Sequence, residues 1–180
     1  MQYFNDLKNI ISKIDTDSLI SIKDSILNCY KRSGIVYIFG NGGSGATASH
    51  VAGDYLKTIQ GLRIVCLNDN TTVLSAIAND ISYEEVFREQ LKNIVQKQDL
   101  VIGISGSGNS KNILNAIAHA NSKDVETIGF CGFDGGDLKN IAHKSMHVQI
   151  HDMEITEDVH LSCFHAIKRD IADNLLKNLL

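Results

Sequence analysis

Apolar positions along the chain fall into two patterns. Five short runs are almost continuously apolar: IVYIF (35–39), RIVCL (63–67), LVIGI (100–104), ETIGF (126–130) and MHVQI (146–150). Unbroken runs of this length, rich in β-branched residues, predict strands covered on both faces. Between them, apolar residues recur three and four apart, which predicts helices at about 44–58, 71–95, 109–121 and 155–178. Residues 1–32 are helical in pattern too, with Phe4, Leu7, Ile10, Ile11 and Ile14 on one face. A second helix of this segment is expected to start near Asp17, where an acidic residue can cap the first turn. Strand–helix alternation implies a parallel sheet with right-handed crossovers. The pattern therefore predicts an α/β fold, a single doubly wound domain over 1–180 with a five-stranded parallel sheet flanked by helices. Residues 1–32 form N-terminal helices packed outside it or against another subunit. In such sheets ligands bind beyond the carboxyl ends of the strands, near the switch in strand order. The loops after 39, 67, 104 and 130 are the places to look.

Composition narrows the setting. A chain of 180 residues, 43% hydrophobic and 21% charged, suits one globular domain with a substantial core. The net charge of −4 and the absence of any basic run give no nucleic-acid surface. Any bound phosphate must then be met locally, by backbone amides and hydroxyls. Cys29, Cys66, Cys131 and Cys163 lie far apart with no CxxC pair, which fits buried free thiols in a reducing compartment. The amino terminus lacks a signal peptide's apolar stretch, and no run reaches the roughly twenty apolar residues of a membrane span. The expected location is the cytoplasm, with no membrane partner. The chain has no proline, no low-complexity stretch and no internal repeat.

The first strand runs into Gly40-Asn41-Gly42-Gly43-Ser44-Gly45 and a helix. Glycines there let backbone N–H groups face an anion at a helix amino terminus. Gly40, Gly42 and Gly45, with Asp69 after the second strand, also fit a generic dinucleotide pattern. The third strand points to a different ligand. It ends in Ser105-Gly106-Ser107-Gly108-Asn109-Ser110, again before a helix, and three hydroxyls among glycines can donate to a phosphate monoester. A P-loop lysine is missing, so nucleoside triphosphate hydrolysis does not fit.

His50 and Asp54 stand four apart on the helix after the glycine loop, so both share one face. Imidazole plus carboxylate is a common ligand pair for first-row metals. The last helix carries Glu157, His160 and His165. Glu157 and His165 are about 12 Å apart along a helix axis and about 80° apart around it. One ion between them is tight unless the helix frays or a neighbouring chain supplies a ligand. His160, about 140° from His165, has a structural role in this reading. His119, His143, His147 and His151 fit no site.

Four separated segments together carry a resemblance: FGNGGSGATASH, Asn79-Asp80, ISGSGNS and the terminal TEDVHLSCFH. The chain resembles the sugar-isomerase (SIS) domain, a flavodoxin-like fold, and within it the phosphoheptose isomerase family, from the first helix to nearly the last residue. The resemblance implies interconversion of sedoheptulose 7-phosphate and a D-glycero-D-manno-heptose 7-phosphate, an aldose–ketose isomerisation. It implies that Asn41, Gly42 and Gly43 contact the sugar, with Asn79, Asp80, Asp54 and Glu157 also at the substrate. Ser105, Ser107 and Ser110 would hold the phosphate, with Gly106 contributing backbone. His50, Asp54, Glu157 and His165 would fall on zinc positions, one Zn2+ per active site, and Asp54 and His165 on the acid/base positions. A homotetramer with active sites at subunit contacts is implied as well. Three residues depart from the family pattern: Asp54 replaces a glutamate, Glu157 a glutamine, and Gly106 a threonine. Two other readings stay open, a non-catalytic SIS adaptor or sugar-phosphate sensor and an isomerase of another phosphosugar.

Overall fold

The computed structural model describes residues 1–177. Two helices, α1 (Gln2–Ile11) and α2 (Thr16–Lys31), precede β1 (Ile35–Gly40), α3 (Gly42–Thr58) and β2 (Arg63–Cys66). Next come α4 (Thr71–Asp80), a single 3-10 turn (Tyr83–Glu85), α5 (Arg88–Lys92), β3 (Leu100–Ser105) and α6 (Lys111–Asn121). The chain closes with β4 (Glu126–Cys131), α7 (Gly136–Ile141), β5 (Lys144–His147) and α8 (Met153–Lys177). All strand pairs are parallel, in the order β2-β1-β3-β4-β5. The order reverses between β1 and β3, so the crevice beyond Gly40 and Ser105 is the switch point.

Alternation along the strands splits the core into two layers. Val36, Ile38, Leu100, Ile102, Ile104, Ile128 and Phe130 face α2, α3 and α8. Tyr37, Phe39, Val101 and Cys131 face the other way, against Val86, Phe87, Leu91, Ile113, Ile117 and Leu138. Two positions on this second face are bare. A Cβ on Gly103 would lie 2.8 Å from Ile113 Cγ2, and one on Gly129 2.8 Å from Leu138, so α6 and α7 pack directly on the sheet backbone.

The predicted architecture holds, with local corrections. The helix expected over 71–95 is α4, a 3-10 turn and α5, because Asn79 and Asp80 are weak helix formers and Ser82 is extended. The apolar period survives that break because Val86, Phe87 and Leu91 return to the core. The run 146–150 is shifted: β5 is Lys144–His147, an edge strand with Met146 and Val148 inward. β2 is also an edge, and its outer face is open, with Val65 exposed rather than covered. The cap of α2 is Asp15 rather than Asp17, its carboxylate accepting from the backbone of Asp17 and Ser18. α7 had no sequence signal. α8 begins two residues before the expected 155, and residue 178 of that expected helix lies outside the described residues, as do 179–180 of the domain. The four cysteines are free and buried. No helix among the described residues is long and apolar enough to cross a membrane.

Candidate active site

The crevice at the switch point is built from neutral groups. Asn41 caps α3 with its backbone only, its side chain turning across to α6. There it forms a reciprocal pair with Asn112, Nδ2 to Oδ1 at 2.9 Å and the return bond at 2.8 Å. Tyr83 donates its hydroxyl to the same Asn41 Oδ1 at 2.9 Å. Both polar atoms of Asn41 are thereby engaged, and Asn112 is buried. Asn68 braces the strand end, donating to Gly40 O and accepting from Gly40 N. Sequence patterns did not single out Tyr83, Asn112 or Asn68, whose partners lie 28 to 71 residues away.

The serine loop is folded tightly on itself beside this pair. Ser105 Oγ donates to Ser110 Oγ at 3.1 Å, and Ser107 Oγ accepts from Asn109 N at 3.2 Å. Ser110 is the N-cap of α6 yet makes no side-chain capping bond, so its hydroxyl faces the loop. Gly108 is left-handed at φ 69°, and its carbonyl accepts from Leu138 N. Gly132 N donates to Gly106 O at 2.8 Å, which fixes the loop to the end of β4. The arrangement gathers three hydroxyls at the amino terminus of α6, where the first N–H groups of a helix favour an anion.

Farther along α3 lies a second, charged group. His50 Nε2 and His165 Nε2 face each other at 3.1 Å, and Asp54 Oδ2 is 3.9 Å from His165 Nε2. One ligand atom from each of His50, Asp54 and His165 falls within 4.8 Å of the others, so the group can hold a metal ion. Two imidazoles and a carboxylate suit a borderline ion such as zinc. Tyr55, buried beside Asp54, donates to Phe164 O at 2.8 Å and locks α3 to α8 at this level. Lys168, which sequence reasoning also missed, bonds Asp54 Oδ2. That contact, more than the opposing effect of burial, holds the Asp54 carboxyl below its ordinary range.

Glu157 does not join this cluster. α8 is regular through it, and its carboxylate lies against Gly43, where any Cβ would strike both of its oxygens. The contacts Gly43–Glu157 and His50–His165 follow one another in the same order, so α3 and α8 run in the same direction. Burial, then the charges of Glu154 and Asp158, push the Glu157 carboxyl up. A carboxylate against the glycine loop disfavours a pyrophosphate there, which counts against the dinucleotide pattern. Asn79 and Asp80 are exposed at the end of α4, bonded to each other, and only the following Tyr83 reaches Asn41. His160 is fully buried, donates Nε2–H to Cys131 O, and is held neutral by burial at a pKa of about 4. His143 and His147 bond Thr127 and Phe133 O, and His151 bonds Asp134, which are structural contacts.

Residues 2–132 match the SIS domain family. The chain is 35% identical over 158 residues to the probable phosphoheptose isomerase of Thermoplasma acidophilum, covering 86% of this chain and 87% of that protein. It is 31% identical over 170 residues to the phosphoheptose isomerase of Syntrophotalea carbinolica, covering 91% and 87% respectively. The structure of phosphoheptose isomerase from Neisseria gonorrhoeae matches with a TM-score of 0.89 at 27% identity, over 94% of this chain and 96% of that one. With relatives of this closeness along most of its length, and with its glycine and serine loops meeting at the β1/β3 switch, the chain belongs to the phosphoheptose isomerase family of SIS-domain proteins.

Proposed function

We propose that the chain, acting as one domain over 1–180, isomerises sedoheptulose 7-phosphate to D-glycero-D-manno-heptose 7-phosphate by proton transfer through an enediol. The observation that carries this reading is the convergence of His50, Asp54 and His165, up to 115 residues apart, in a chain of this family. The same cluster argues against the non-catalytic adaptor. Ser105, Ser107, Ser110 and the Gly106 backbone would grip the phosphate. Asn41, Gly42 and Gly43 would meet the sugar through their backbone, since the Asn41 side chain is already bonded on both atoms. Asn79 and Asp80 would approach from the rim, with Glu157 beside Gly43. Gripping the far end orients the reacting carbons, which is where binding energy becomes rate.

Asp54 and His165 form the acid/base pair of this proposal. Asp54 is engaged by Lys168, so His165 is the freer base and carries the proton between C1 and C2. His50, Asp54 and His165 would hold a zinc ion, with Glu157 as a fourth ligand only from a neighbouring subunit. When bound, the ion would supply Lewis acidity toward the carbonyl and hydroxyl oxygens. A homotetramer with shared sites is supported by that separation and by exposed Phe4, Leu56 and Val65. Four buried thiols, pushed up to about 11 or 12 by burial, suit the cytoplasm. The test is turnover of sedoheptulose 7-phosphate in deuterium oxide, against a panel of five- to seven-carbon phosphosugars. Deuterium at C2 of the heptose product is expected, abolished by chelation and restored by zinc. Faster turnover of another phosphosugar would reassign the substrate, and no turnover of any would overturn the enzyme reading.

A further inference from the structure

Lys168 is the one charged member of the α3–α8 cluster that the proposed reaction does not use. It stands one turn beyond His165, on the same face of α8. Its Nζ bonds Asp54 Oδ2, the same oxygen that faces His165 Nε2 at 3.9 Å. Asp54 has no other hydrogen-bond partner among the described residues. The two side chains are 17% and 25% exposed, so this pair is better shielded from water than an ordinary surface ion pair. The ammonium thus balances the carboxylate on the very atom an ion between His50 and His165 would need. A dication entering the group must either displace Lys168 from Oδ2 or take the other carboxylate oxygen beside a standing positive charge. Both routes cost binding free energy.

We propose that Lys168 is an internal counter-cation of this site: it holds Asp54 in the ion-free state and weakens divalent-ion binding by competing for Asp54 Oδ2. The inference rests on reading His50, Asp54 and His165 as metal ligands. It accounts for a cluster that is electrostatically balanced before any ion arrives, and it makes ion affinity a property set by a residue that ligates nothing.

The experiment is a zinc titration of the full chain against a chromophoric chelator, comparing the wild type with Lys168→Met, Lys168→Gln and Lys168→Arg. Circular dichroism melting checks each fold, and Lys168→Gln serves if Lys168→Met does not fold. The neutral variants are expected to bind zinc on the order of tenfold or more tighter, with Lys168→Arg close to the wild type. In an Asp54→Asn background the gain from Lys168→Met should shrink, because the competition for the carboxylate oxygen is gone and only the repulsion between the ammonium and the ion remains. Unchanged or weaker affinity in the folded neutral variants overturns the proposal, as does a gain that is undiminished with Asp54→Asn. If neither the wild type nor the neutral variants bind zinc, the counter-cation and the metal reading fall together. Sedoheptulose 7-phosphate turnover, assayed on its own, then still judges the isomerase reading.

Discussion

The two polar regions along α3 are held by opposite kinds of force. At its amino end, Asn41, Asn112, Tyr83 and the serine loop form a lattice of neutral amides, hydroxyls and backbone groups. Nine residues on from Asn41, about 13 Å down the helix, His50, Asp54, His165 and Lys168 form a cluster of imidazoles and opposed charges. The neutral lattice is braced by its own bonds and stays preorganised, so in the proposed reading an anion would meet the remaining donors with no competing cation. The charged cluster is satisfied only by pairing its own members, and any ligand there must rearrange them. Rigidity at one end and exchangeability at the other is the division of labour the proposed reaction needs, one end to anchor and one to move protons.

The largest expected effect comes from the charged region. Replacing His165, a partly exposed side chain, with alanine should lower kcat by roughly a thousandfold while leaving the circular dichroism melt in place. Full activity in that variant would remove His165 from the chemistry. A change in the neutral region should instead show as stability. Asn112→Ala leaves Asn41 without its paired amide and should cost about 1–3 kcal/mol in urea unfolding, whereas Tyr83→Phe, losing one bond at an exposed ring, should cost less. Equal costs would mean that the amide pair is not the bracing element.

Ser110→Ala removes a hydroxyl that caps nothing, so it should raise KM by about tenfold with little change in kcat. A fall in kcat alone would place the phosphate elsewhere. The smallest effect belongs to Glu157, whose carboxylate lies against Gly43 at the amino end of α3. Its carboxyl is raised above the ordinary value of 4.5, so the folded state holds its proton more tightly than the unfolded one. Stability therefore falls as pH rises from 4.5 through the folded value. Glu157→Gln should raise the melting temperature by about 2 °C at pH 7 and by nothing below pH 4. A uniform shift across that pH range would show that charge is not the cause.

The strands were legible because both-face burial leaves unbroken apolar runs, and β1, β3 and β4 are covered in that way. Legibility failed where that logic fails. At β2 and β5, the sheet edges, one side is left to solvent or to charged residues such as Lys144, and the pattern drifts. Between 71 and 95, core contacts kept the helical period while Ser82 broke the backbone. In the candidate site, residues sharing a loop or one helix turn could be found from spacing, as with His50 and Asp54. Asn112 and Lys168 could not, since each gains its meaning from a partner 71 or 114 residues away. Spacing along α8 did anticipate that Glu157 and His165 fail to meet in one chain.

Gly103 has no side chain and is buried in the middle of the sheet, yet it sets the clearance between α6 and the sheet. A single methyl there would press on Ile113, which directly follows Asn112, and lift the opening turn of the helix. Ser110 and the amide bridge would ride up with it, so an apolar substitution in the deepest layer of the protein would be felt as a looser grip at the proposed phosphate site on its rim.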